Sequence, residues 1–376
     1  MLKQIFDQQK LSMWKPPIGN PQVHKDFIID NHSTSTETPT ISIITPTFNR
    51  AEELEPLIKS IQNQSLDHQK FEMIIVDDGS IDTTEEIIRE WKDKVDFNLR
   101  YVSQENKGPG AARNLGMSVA GGDLFLFIDS DCEAKEDWIE QIYETYQTDK
   151  FDACGGPDAS RDDFTPLQRA IDFSMTSFFT TGGMRGHSNK PFAKFYPRSH
   201  NMGITKSIYK KVGGFGKLRH GQDIELSHRI IKSGAKVSYI PDAVVYHRRR
   251  TTIVKFFRQV FNWGVARINL GKIDKRMLEP IHFLPAIITV IFFLLMIAFF
   301  INPAQNGKIF SLGFGLLLAL SLLGGVKQQS VKVGILLIII IPIQIIGYGL
   351  GFLISLFRRY VLNLDPWTGF SRKYYN

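Results

Sequence analysis

Residues 125–134 read FLFIDSDCEA. An apolar run of the kind that forms a buried strand breaks off into Asp129, Ser130 and Asp131, with Glu133 close behind. Carboxylates spaced like Asp129 and Asp131 at a strand end can both reach one hard divalent cation or its waters. An isolated pair of this kind can equally be a solvated turn or a helix cap. The choice depends on what else the chain brings to the same place.

The preceding sequence repeats the design. TISIITPTFNR from Thr40 is a β-branched apolar run entering a loop at Pro46, and AEELEPLIKSIQNQS then has apolar residues at helical spacing. FEMIIVDDGS at 71–80 is a second strand ending in acids and glycine. DTTEEIIREW follows as a helix, with Asp82 expected at the N-cap and Glu85 at the capping-box position. NLRYVSQ is a third strand, GPGAARNLGMSVAGG a helix opened by glycine, and DLFLFIDSD the fourth strand. Strands alternating with helices predict a mostly parallel α/β sheet covered on both faces. Ligands bind such sheets beyond the carboxyl ends of the strands, where Asn49, Asp77, Asp78, Asp129 and Asp131 all fall.

The 376-residue chain divides into unlike parts. Residues up to about 280 are mixed and charged, whereas Ile281–Phe300 carries no charge and matches the ~20 apolar residues that cross a bilayer. Phe310–Val326 and Val333–Phe357 follow, the latter broken by glycines and Pro342, so the mean hydropathy of −0.10 averages a polar head with a membrane tail. Lysines and arginines flank these stretches in a way that leaves open whether all three span or one is re-entrant or interfacial. The N-terminus lacks the apolar core of a cleaved signal, so the head is expected in the cytoplasm and the chain in the plasma (inner) membrane as a multi-pass protein. Cys132 and Cys154 give neither a disulfide framework nor a zinc cluster. The net charge of +7 gathers near the apolar stretches, at Arg248, Arg249, Arg250, Lys255 and Arg258 among others, which fits an anionic leaflet and no nucleic acid.

A dinucleotide fold wants GxGxxG after its first strand, and TPTFNR has no glycine. ISIITPTFNRAEELEPLIKSIQNQ, IIVDDGSIDTTEEI, NKGPGAARNLGMSVAGGDLFLFIDSD, NMGITKSIYKKVGGF and GQDIELSHRIIKSG, in this order, resemble the family-2 glycosyltransferases over about residues 39–250. That resemblance implies an inverting enzyme of the Rossmann-like GT-A fold with a nucleotide-diphosphate-sugar donor. The nearest likeness is to the membrane-tailed branch that builds exopolysaccharide or lipid-linked glycans. It implies that Asp129 and Asp131 hold Mg²⁺ or Mn²⁺ against the donor diphosphate, with Ser130 between them on the donor side. It places Asp77 and Asp78 at the base and ribose, Pro46, Thr47 and Asn49 on the opposite wall, and Lys107 and Arg113 at phosphate oxygens. Arg113 can equally anchor the loop under Asp129.

An acceptor hydroxyl must lose a proton as it attacks, and the family's base lies in an acidic pair at a helix start. Gln222 and Asp223 match that pair, with Asp223 as the base and Gln222 in place of the usual glutamate; a mere helix cap is the alternative for Asp223. His247 stands where some relatives use a further ligand to metal or diphosphate, with His200, His220 and His228 as weaker candidates. FRQVFNWGVARINLG at 257–271 is similar to the QxxRW element of processive synthases, with Gln259 and Trp263 kept and Asn262 where arginine is expected. Its apolar and basic alternation reads as an amphipathic helix on the membrane surface, or else as ordinary core packing.

The expected organisation is an extension (1–38), a GT-A catalytic domain (39–250), an interfacial helix region (251–280), a transmembrane region (281–357) and a basic tail (358–376). The expected function is transfer of a sugar from a nucleotide-diphosphate donor to a lipid-linked or membrane-proximal acceptor. A processive polysaccharide synthase and a non-catalytic nucleotide-sugar-binding scaffold are the alternatives. Sugar, nucleotide, acceptor and oligomeric state are not legible in the sequence.

Overall fold

The computed structural model describes residues 28–30, 39–159, 163–177, 180 and 195–370. Its head is built on an eight-stranded sheet in the order β1-β4-β3-β2-β5-β9-β7-β10. These strands are β1 (Ile28–Asp30), β2 (Ile41–Thr47), β3 (Phe71–Asp77), β4 (Asn98–Ser103), β5 (Leu124–Phe127), β7 (Ala153–Gly155), β9 (Met202–Thr205) and β10 (Val237–Tyr239). β2, β3, β4 and β5 pair in parallel as the sequence predicts, but β9 runs antiparallel between β5 and β7, so the sheet is mixed. A small second sheet joins β6 (Cys132–Ala134), β11 (Val245–His247) and β8 (Asp158–Ala159) in the order β6-β11-β8.

Every residue of β2 and β3 is buried, which is why both read as unbroken apolar runs rather than alternating ones. The side chains still alternate in direction. Ile41, Ile43, Met73 and Leu126 pack under α1 (Ala51–Gln62) and α4 (Trp138–Asp149), while Ile44, Ile74, Val76 and Phe127 face α3 (Pro109–Val119) and α7 (Gln222–Lys232). Full burial of each such side chain stabilises by ~1.5–3 kcal/mol. The helix after β3, α2 (Thr84–Lys92), starts one residue later than expected. Asp82 still accepts from the Thr84 N–H at 3.1 Å, but Thr83 is the cap and Glu85 pairs with Arg89 at 2.6 Å instead of closing a capping box.

The apolar tail forms α9 (Leu284–Ile301), α10 (Pro303–Lys327) and α11 (Val331–Leu356), three helices long and apolar enough to cross a membrane. α10 begins seven residues, about two turns, before the apolar stretch visible in sequence, because Asn302 caps it and Pro303 is set for a first turn. α8 (Ile253–Ile273) buries eleven of its residues and lies on α11. Glycines permit that approach: a Cβ at Gly264 would lie 2.2 Å from the Tyr348 carbonyl, and one at Gly351 2.1 Å from that of Phe261. Packing against protein therefore describes most of α8, with Phe256, Val260 and Phe261 turned inward.

Candidate active site

Strand ends and one helix start meet at a cavity of about 560 Å³. Pro46, Asp129, Ser130 and Asp131 reach it from the sheet, His247 from the end of β11, and Gln222 and Asp223 from the first turn of α7.

Asp131 is nearly buried between Arg50 and His247. Arg50 Nη1 donates to Oδ2 at 2.9 Å, and His247 Nε2 lies 3.4 Å from Oδ1. Burial alone would raise its pKa, but His247, Arg50 and Arg250 outweigh burial and hold it well below the ordinary carboxylate range. Asp129 is held otherwise: Arg113 Nη2 donates to its Oδ1 at 2.5 Å, with the guanidinium 5.2 Å above the Phe215 ring. Arg113 thus anchors the loop at Asp129 and also lines the cavity.

The donor set fits a divalent ion. Ligand atoms of Asp131, Cys132 and His247 lie within 4.8 Å of one another, as do those of Asp158, His200 and His247. His247 Nδ1 is buried without a hydrogen-bond partner, and its ring sits 5.0 Å from that of His200. Burial, with Asp131 and Asp129 nearby, pushes the Cys132 thiol far up, so it stays protonated and is a poor ligand. What remains is carboxylate oxygen and imidazole nitrogen, a set compatible with Mn²⁺ or Mg²⁺. Asp129, expected beside Asp131, belongs to neither group among the described residues.

Asp223 is not a helix cap, since Gly221 takes that position with φ +80 and no side chain. Its Oδ1 accepts from the Ile224 N–H at 2.9 Å, and Arg198 Nη1 lies 3.7 Å from Oδ2. The remaining oxygen capacity faces the cavity. Gln222 donates to the Gly216 carbonyl at 3.0 Å and packs so closely on α3 that a Cβ at Gly110 would lie 2.6 Å from its amide. A glutamate there would present an acceptor to an acceptor.

The other expected donor residues lie in the loops beside the cavity. Asp77 accepts from Ser80 at 2.6 Å and Tyr101 at 2.7 Å; Asp78 accepts from Gln104 at 2.6 Å and from the N–H groups of Lys107 at 2.9 Å and Gly108 at 2.7 Å. Burial raises the Asp78 pKa against those bonds. Asn49, at φ 49, accepts from the Ile81 N–H at 2.8 Å, so it ties the β2 loop to the β3 loop. Thr47 Oγ1 is buried without a partner, and the Lys107 side chain is exposed. Of the weaker histidines, His200 joins His247, His220 lines the cavity, and His228 faces Asp274 at 3.1 Å.

Sequence reasoning missed Arg50, Arg198, Gln344 and Tyr348, all in the cavity wall. Gln344 and Tyr348 carried a signal: polar groups inside an otherwise apolar stretch mark a functional position by default. Asn262, the departure from QxxRW, accepts from the Phe370 N–H at 3.0 Å and so holds the segment after α11 onto α8.

The model of the family "Glycosyl transferase family 2" matches residues 42–213. Glycosyltransferase GlyG of Streptococcus pneumoniae is 30% identical over 219 residues, which are 56% of this chain and 71% of that protein. Glycosyltransferase AglE of Haloferax volcanii is 26% identical over 249 residues, 66% of this chain and 79% of the relative. Among solved structures, the mannosyltransferase PcManGT from Pyrobaculum calidifontis, in complex with GDP-Man and Mn²⁺, superposes with TM-score 0.59 at 17% identity over 90% of this chain and 92% of that one. The fold is therefore the GT-A type that the sequence predicts.

Proposed function

The chain belongs to glycosyl transferase family 2, and from that premise we propose that it is a membrane-anchored inverting transferase. It moves one sugar from a nucleotide diphosphate to a lipid-linked or membrane-proximal acceptor, with its head on the cytoplasmic face of the inner membrane. The observation that carries this reading is a single cavity holding Asp131 and His247 at one side, Asp223 beyond them, and α11 as a further wall.

In this reading Asp223 accepts the proton of the acceptor hydroxyl as its oxygen bonds to the anomeric carbon and the nucleoside diphosphate leaves from the opposite face. Asp131 and His247, with Asp129 next to them in the chain, would hold the divalent ion. When bound, that ion neutralises charge on the leaving diphosphate. Arg50, Arg113 and Arg250 add fixed positive charge on the same side. The PcManGT complex was solved with Mn²⁺; for this chain the ion class rests on its own oxygen and nitrogen donors.

The test is donor binding and turnover across UDP-, GDP- and dTDP-sugars, with and without Mn²⁺, for the wild type, Asp131→Ala and Asp223→Asn. Asp131→Ala is expected to lose metal-dependent binding. Asp223→Asn is expected to bind within about two-fold of wild type while turnover drops ~10²–10⁴-fold. Tight donor binding without turnover, even with membrane extract as acceptor, would favour the scaffold instead.

A further inference from the structure

The cavity wall carries six arginines and three aspartates. Its cations divide by their partners. Arg50 and Arg113 sit on Asp131 and Asp129, and Arg250 acts on Asp131. Arg198, Arg219 and Arg267 line the part shared with α7, α8 and α11, where Asp223 is the acid, 3.7 Å from Arg198. Arg267 Nη1 donates to the Met277 carbonyl at 3.2 Å and its guanidinium lies within the electrostatic reach of both Arg198 and Tyr348. Like charges gathered on one cavity wall call for an anion.

A second observation points the same way. Gln344 Oε1 is buried in the wall without a hydrogen-bond partner, so its amide can turn to present N–H to the cavity, and one helical turn on along α11 the Tyr348 hydroxyl meets Arg267. A buried amide like that of Gln344 is normally satisfied, here by a group that enters the cavity. Pro285 and Ile281 of the first apolar helix region continue the wall next to them, so an apolar surface leads to the cationic end.

We propose that Arg198, Arg267, Tyr348 and Gln344 form an anion subsite for a phosphate group carried by the acceptor, whose hydrocarbon part lies against α9 and α11. The assignment rests on the transferase reading above. The donor diphosphate occupies the Asp131 end, and the acceptor phosphate the α11 end. Asp223 stands between them, beside the hydroxyl it must deprotonate. The shared chemistry is a phosphate monoester or diphosphate, and a lipid source is separated from free phosphate by the experiment.

The test is equilibrium binding of farnesyl phosphate, farnesol and inorganic phosphate to the full chain in detergent, with donor affinity measured in parallel. Farnesyl phosphate is expected to bind at least about ten-fold tighter than either farnesol or phosphate, because charge-assisted and apolar contacts act together. Arg198→Gln and Arg267→Gln are each expected to weaken farnesyl phosphate by about ten-fold and leave donor affinity within about two-fold. Equal binding of farnesol, or wild-type farnesyl phosphate affinity in Arg198→Gln, would overturn the anion subsite. Free phosphate binding as tightly as farnesyl phosphate would overturn its lipid source. Should Arg267→Gln fail to bind donor and so prove misfolded, Arg198→Gln, nearer the surface, decides the matter. Arginine-dependent binding of farnesyl phosphate with no transfer to any acceptor would instead sink the transferase reading and leave the subsite standing.

Discussion

His220 shows how the site's charge reaches into stability. Its imidazole is half-buried, and burial first, then Arg219, pull its pKa down to about 4 against the opposing bond with the Thr368 backbone. The unfolded chain therefore takes up the proton at a higher pH than the folded one. The His220 contribution is fully present above about pH 6.5 and is lost as the pH falls towards 4, up to ~3 kcal/mol in all. Thermal unfolding from pH 7.5 to 4.5 should show that decline, and His220→Gln should flatten it. An unchanged slope in the variant would assign the acid sensitivity to other groups.

At the level of elements, two devices fix the helices around the site. Arg249, next to the end of β11, lies buried between Asp158 at 2.5 Å and Asp172 at 2.7 Å, the latter on α5 (Pro166–Thr176). Arg249→Met leaves two buried carboxylates without their cation and should cost ~3–5 kcal/mol, read by denaturant midpoint. The crossing of α8 and α11 is the second device. Because Gly264 and Gly351 each face a carbonyl of the other helix, Gly351→Leu should push the helices apart. Arg267 on α8 would then move away from Tyr348 on α11. The expected result is a loss of ~1–3 kcal/mol and a rise in acceptor KM larger than any change in donor KM. Equal changes in both would mean that the crossing does not shape the acceptor side.

Over the whole molecule, the placement of α11 bears on membrane topology. Arg169 of α5 bonds the Gln328 carbonyl just before α11, while beyond its far end Asn269 donates to the Trp367 carbonyl at 2.9 Å. Both ends of α11 thus touch the head. α9 meets α11 near its own start, through Thr289 against Gly349, and α10 near its own end, through Gly324 against Leu337. Their remote turns touch each other through Phe299 and Phe310, 5.6 Å apart. The arrangement is a hairpin standing on a helix that runs along the head. It predicts that α9 and α10 cross and return while α11 stays at the head's side, which keeps Lys327, Lys332, Arg358 and Arg359 on one face. Single cysteines introduced at Gln329 and Asp365 should label from the head's side, and one at Asn302 from the opposite side. Labelling of Asp365→Cys with Asn302→Cys would establish three full crossings.

The residues that the sequence marked for chemistry were marked by local pattern. Asp129, Asp131, Asp77 and Asp78 close apolar runs, and a run that ends in acids is visible without any knowledge of its neighbours. The strands β2 to β5 and the apolar helices were legible for the same reason, since periodicity and length are properties of contiguous residues. Partnerships across the chain were not. Arg50 reaches Asp131 over 81 positions, and Arg113 withdraws Asp129 from the group formed by Asp131 and His247. Asp158 comes to His247 because β8 and β11 pair in the small sheet, and His200 comes from the segment just before β9 in the large one. Gln344 and Tyr348 enter the cavity only because glycines let α11 lie against α8. By itself the sequence determined which segments fold, which are apolar and which strand ends carry acids, because these follow from adjacent side chains. The tertiary structure alone decided which cation neutralises which acid and where the apolar helix meets the site, because those follow from packing between segments that local patterns do not connect.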